Sequence, residues 1–135
     1  MPTADRGARP SDSATPHQDG RPRGTSVLAV IPTLDSGSRR FMRLVDALRA
    51  AKGATPVRVI AVLNRGADIP VEHPSARSDA APEGVDIVRT GLNLGFAGSV
   101  NLAASLAAFT HLWLLQDDLV PDPECLNELL GALAR

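Results

Sequence analysis

The stretch His111-Leu112-Trp113-Leu114-Leu115-Gln116-Asp117-Asp118-Leu119-Val120-Pro121-Asp122-Pro123 constrains the fold of this chain more than any other. Its apolar run is too short for a membrane span and stops abruptly at paired carboxylates, which predicts a buried strand delivering acidic groups to the rim of a sheet. Adjacent Asp side chains at such a rim suit a hard divalent cation, Mg²⁺ or Mn²⁺, which prefers carboxylate oxygens and neutralises a bound diphosphate. A solvated turn, with Asp122 capping the next helix, is the plain alternative.

A sheet needs partners for that strand, and the remaining apolar runs supply them. Val27-Leu28-Ala29-Val30-Ile31, stopped by Pro32, reads as a central strand buried on both faces. The loop Thr33-Leu34-Asp35-Ser36-Gly37-Ser38 is rich in helix-capping residues, and Phe41, Leu44, Val45 and Leu48 then recur at helical spacing until Gly53. Val57, Val59, Ile60, Ala61, Val62 and Leu63 form a second buried strand, so strand, helix and strand make a parallel pair with a right-handed crossover. Residues 67–84 contain Pro70, Pro74 and Pro82 without a clear period and read as a long surface loop. Val85-Asp86-Ile87-Val88 partly alternates, as an edge strand does. Gly91, Asn93, Gly95 and Gly98 follow, and after them a helix with Val100, Ala103, Ala104 and Ala107 on one face. Beyond the opening stretch, Asp122 as N-cap, Pro123 at the first helical position and Glu124 in the first turn start a last helix, whose buried stripe is Leu126, Leu129, Leu130 and Leu133.

The fold class is therefore α/β, with a mostly parallel four-stranded sheet and flanking helices. Residues 1–24 hold Pro2, Pro10, Pro16 and Pro22 among small and polar residues and cannot bury enough surface to offset their ordering entropy, so they are expected to form a disordered tail. The ordered domain is 25–135. Basic residues number 14 and acidic residues 15, a balance that gives no electrostatic case for nucleic acid or an anionic membrane. No apolar run reaches the roughly 18 to 20 residues of a transmembrane segment, and no secretion signal is present. The single Cys125 excludes an internal disulfide and fits a reducing, cytoplasmic location.

In parallel sheets the ligand crevice lies beyond the carboxyl ends of the strands. Every unusual polar cluster falls there: 33–38, 64–66, 90–98 and 116–118. The glycines of 90–98 are spaced Gly-x₃-Gly-x₂-Gly and follow the third strand, which argues against dinucleotide binding. What remains is a Gly-rich turn bearing Asn93 and Asn101 at a helix start, a place that favours an anion.

Taken together, Val30-Ile31-Pro32-Thr33, then Asn93-Leu94-Gly95-Phe96-Ala97-Gly98-Ser99-Val100-Asn101, then 113–123 closely resemble family 2 glycosyltransferases of the GT-A fold, nearest to the bacterial rhamnosyltransferase and galactofuranosyltransferase-like branch. The resemblance covers 26–135 and implies a Rossmann-like, nucleotide-diphosphate-sugar-binding half-domain. By the family's pattern, Pro32, Thr33 and Asp35 would line the nucleotide pocket, and Asn64 would stand where an Asp commonly contacts the base. Asn93, Gly95 and Asn101 would lie beside the ribose and diphosphate. Gln116, Asp117 and Asp118 occupy the Asp-x-Asp position, with Asp118 as the leading metal ligand and Asp117 beside it. Gln116 and Asn64 depart from the pattern by removing two negative charges.

Family members also carry a second half that binds the acceptor and supplies the general base. The expectation is a donor-binding portion without that half, whose role is inverting sugar transfer in cell-envelope polysaccharide or glycolipid assembly, or else a non-catalytic nucleotide-binding module. A truncated sheet is also expected to leave apolar surface on its fourth strand and last helix, where a missing half or self-association would cover it.

Overall fold

The computed structural model describes residues 24–65 and 81–135. Apart from Gly24, the expected tail lies outside the described residues, as does most of the 67–84 loop. Four strands, β1 (Val27–Thr33), β2 (Val57–Leu63), β3 (Val85–Arg89) and β4 (His111–Leu114), alternate with helices α1 (Arg39–Ala51), α2 (Gly95–Ser105) and α3 (Cys125–Leu133). All ladders are parallel and the spatial order is β3-β2-β1-β4. The chain therefore steps outward from β1 to β2 to β3, then returns to the far side of β1 to lay down β4.

β1 is central because its side chains are apolar on both faces. Val27, Ala29 and Ile31 pack with Phe41, Leu44, Val45 and Leu48 of α1, while Leu28 and Val30 pack with Val100 and Ala103 of α2. Leu28, Ala29, Val30 and Ile31 have no exposed surface at all. α1 starts where Ser38 Oγ accepts from the Phe41 N–H at 3.1 Å. It stops where Gly53 takes φ +51°, a left-handed position that glycine enters without steric cost.

Three sequence expectations are corrected. β4 is an edge strand, and only one of its faces is inside: Trp113 and Leu115 are buried, whereas Leu112 and Leu114 are 39% and 43% exposed. The reason is layering, since α2 packs over β1 and β2 and α3 lies beside α1, which leaves the second face of β4 bare. α2 begins at Gly95, not beyond Gly98. Gly98 is a helix-interior residue, required because a Cβ there would come within 2.9 Å of Leu94 Cβ. Ala107 lies past the end of this helix, although it still packs against the β1–β2 face.

The last helix is also shorter than expected. Asp122 makes the expected capping bond, its Oδ1 accepting from the Glu124 N–H at 2.9 Å and its carbonyl from the Cys125 N–H, but Pro123 and Glu124 form a turn and the regular helix starts only at Cys125. Of the expected stripe, Leu126 is buried and Leu130 partly so, but Leu129 and Leu133 face solvent. Bare apolar side chains on β4 and α3, with Leu119 and Val120 between them, match the expectation of uncovered apolar surface there.

Candidate functional site

Because every strand is parallel, their carboxyl ends share one edge of the sheet. The order reverses between β1 and β4, so a crevice must open where these two strand ends diverge. Thr33 is the last residue of β1 and is buried, and its Oγ1 donates to Asp117 Oδ2 at 2.7 Å, bridging the two strand ends. The same oxygen accepts from the Asp35 N–H at 3.2 Å, which turns the chain out of the sheet. Past β4, the Leu115 N–H still donates to the Val30 carbonyl, and a turn closed by the Leu119 N–H on the Gln116 carbonyl presents Asp117 and Asp118. Asp117 is half-buried and held, whereas Asp118 is exposed and has no hydrogen-bond or ion-pair partner among the described residues.

The neighbouring strand ends complete the rim. Asn64, just past β2, is buried; its N–H donates to the Thr33 carbonyl, and its Oδ1 accepts from the Leu94 N–H. A single residue, through its backbone N–H and its side-chain carbonyl, thus ties the end of β1 to the glycine-rich turn before α2. Within that turn, Asn93 Oδ1 accepts from the Gly95 N–H at 3.0 Å. In the loop after β1, Asp35 Oδ1 accepts from the Gly37 N–H at 2.9 Å.

These residues enclose a cleft of about 410 Å³. Of the site residues read from the sequence, Pro32, Thr33, Asp35, Asn64 and Asn93 line it, as do Gln116, Asp117 and Asp118. Gly95 stands behind Asn93, and Asn101 is exposed farther along α2; neither lines the cleft. Leu34, Phe96 and Arg40 line it as well and were not anticipated as site residues. Leu34 and Phe96 are 60% and 45% exposed, so the cleft has an apolar side beside its carboxylates. For Arg40 a signal existed: a basic residue in the first turn of a helix works against the helix dipole and asks for another reason to be there. A second cavity, about 390 Å³, lies under the C-terminal half of α1 beside Val57 and Val85, at the amino ends of β2 and β3. It is lined largely by apolar side chains and lies away from the strand ends where polar groups converge.

The glycosyl transferase family 2 model matches residues 29–135. The chain belongs to that family. Its match takes in β1 from Ala29 onward, the other three strands and the entire cleft lining, so the resemblance read from three separate motifs extends over one continuous domain. No curated protein matches the chain. As a glycosyltransferase family 2 domain it has the Rossmann-like α/β half of a GT-A fold, with an all-parallel sheet. No helix among the described residues is long and apolar enough to cross a membrane.

Proposed function

We propose that this glycosyltransferase domain binds a nucleotide-diphosphate sugar in the cleft at the ends of β1 and β4. The Thr33–Asp117 hydrogen bond carries the reading. It fixes Asp117, with Asp118 next to it in the chain, at the strand-order reversal, where a departing diphosphate can be met by a cation. Asn64 and Asn93 place amide groups at the rim and suit the hydroxyls and heterocycle edge of a nucleoside. Leu34 and Phe96 offer an apolar surface for a base or sugar face.

The donor set fits a divalent cation of one kind only. Among the described residues, no cluster of three or more His, Cys, Asp or Glu could enclose a metal. Asp117 and Asp118 instead suit a Mg²⁺ or Mn²⁺ ion that takes its remaining oxygens from the diphosphate and water. When bound, such a cation offsets the negative charge that builds on the leaving diphosphate. Asp118 and Asp117 would hold it, with Thr33 keeping the Asp117 carboxylate in place, and the Gln116 amide would serve a donor hydroxyl. The reaction is displacement at the anomeric carbon with inversion: an acceptor hydroxyl forms the new C–O bond as the bond to the diphosphate oxygen breaks, and the hydroxyl proton passes to a base.

Acceptor chemistry in cell-envelope polysaccharide or glycolipid assembly, a cytoplasmic location and kinship to the rhamnosyltransferase and galactofuranosyltransferase-like branch complete the proposal. They rest on the motif resemblance. Titrating UDP- and dTDP-sugars with and without Mn²⁺, followed by a search for glycosylated acceptors, tests it. Binding accompanied by transfer supports the enzyme, binding without transfer under any acceptor supports a nucleotide-binding module, and no binding refutes both.

A further inference from the structure

Among the described residues, Arg40 is the only basic side chain lining the cleft. It makes no hydrogen bond or ion pair with any described residue; neither do Arg39 and Arg43 of the same helix, but those two do not line the cleft, and Arg49, Arg58 and Arg65 are committed to the fold. Arg49 pairs with Asp46 at 3.0 Å and donates to the Glu83 carbonyl, Arg58 pairs with Asp86 at 3.0 Å, and Arg65 donates to the Leu34 carbonyl. Arg40 also sits in the first turn of α1, which carries no acidic residue, so its charge adds to the positive end of the helix dipole. Neither packing nor helix stability accounts for it. The other charged groups in the lining are the carboxylates of Asp35, Asp117 and Asp118. An anionic ligand entering such a cleft meets repulsion from three directions, and a guanidinium supplied by a separate element is the fixed counter-charge that would let it stay.

We propose that Arg40 is a donor-binding residue that grips the diphosphate of the nucleotide sugar through its guanidinium. The proposal rests on the reading of this cleft as a nucleotide-diphosphate-sugar site and adds to it a contact from α1. Arg40 carries permanently part of the charge neutralisation that Gln116, standing in place of an acid, does not help a cation provide. It stabilises the diphosphate both in the bound donor and as the leaving group.

The test uses the full chain and calorimetric titration with UDP, dTDP, uridine and thymidine, on wild type, Arg40→Gln, Arg40→Lys and Arg39→Gln. Arg39 is exposed on the same turn and does not line the cleft. Expected for Arg40→Gln is a loss of at least about tenfold in affinity for the nucleoside diphosphates, the size of one charge-assisted hydrogen bond, with nucleoside affinity and melting temperature unchanged. Arg40→Lys recovers part of the loss, because it keeps the charge without the planar fork. Arg39→Gln binds like wild type. An Arg40→Gln protein that binds diphosphates as tightly as wild type, or that loses nucleoside and diphosphate affinity equally, overturns the role of Arg40 while leaving the cleft assignment standing. A wild-type chain that binds none of the four overturns the cleft assignment and this inference with it.

Discussion

Thr33→Val removes one hydroxyl and keeps the shape of the side chain, so it isolates the bond that joins the ends of β1 and β4. The residue is 3% exposed and Oγ1 serves two partners, donating to Asp117 Oδ2 at 2.7 Å and accepting from the Asp35 N–H at 3.2 Å. A hydrogen bond to a charged group contributes about 1.5 to 3 kcal/mol, and the partial exposure of Asp117 lowers this to roughly 1 to 2 kcal/mol. Valine leaves no cavity, so no packing cost is added. For a domain of this size the loss corresponds to a fall in Tm of roughly 4 to 8 °C. Urea unfolding of Thr33→Val, Asp117→Asn and the double variant measures the coupling directly, with about 1 kcal/mol or more expected between the two sites. A second readout follows from geometry: with Asp117 released, any Mn²⁺ enhancement of nucleotide binding should weaken although both carboxylates remain. Additive single effects, or a Tm within a degree of wild type, would mean that Thr33 does not position Asp117.

Three further outcomes follow from packing. Leu28→Ala, at a position with no exposed surface between β1 and α2, should cost about 2 to 5 kcal/mol in chemical denaturation, and a cost under about 1 kcal/mol would contradict the two-faced burial of β1. Gly98→Ala should destabilise by about 1 to 3 kcal/mol even though alanine is the better helix former, because the new Cβ would meet Leu94 Cβ at 2.9 Å; a stabilised variant would place α2 differently. The uncovered apolar side chains Leu112 and Leu114 on β4 should drive concentration-dependent self-association, visible by sedimentation velocity and reduced by Leu112→Thr with Leu114→Thr. A wild-type chain that stays monodisperse across a hundredfold concentration range would argue against this.

The order of strands and helices was legible because β1 and β4 are apolar runs, β2 is one apart from Arg58, β3 partly alternates, and the helices repeat at their own period. The half-exposed state of β4 was not, since Leu112-Trp113-Leu114-Leu115 reads the same whether one face or two are covered; only the position of α2 over β1 and β2 decides it. The late start of α3 was not legible, because Asp122 makes the capping bond the sequence predicts while Pro123 and Glu124 form a turn and the regular helix begins only at Cys125. At the site, Thr33, Asn64, Asn93 and Asp117 stood out as polar residues where strands end. Their mutual arrangement did not, because Asn64 meets the backbone of Leu94, thirty residues away in sequence, through an amide rather than through any motif. Arg40 was passed over because helix periodicity describes the face that α1 buries, and Arg40 belongs to the other face, which only the folded chain turns toward the cleft.

The central claim is that the acidic pair after β4 serves a nucleotide-diphosphate sugar. The most direct measurement is the affinity of wild type and Asp118→Ala for UDP- and dTDP-sugars, each with and without Mn²⁺. Asp118 is exposed and without a described partner, so its removal should leave the Tm unchanged. The account predicts that wild type binds at least one such donor more tightly with Mn²⁺ and that Asp118→Ala loses this metal dependence. Metal-dependent binding that survives in Asp118→Ala would contradict it, as would a folded wild-type chain that binds no nucleotide sugar.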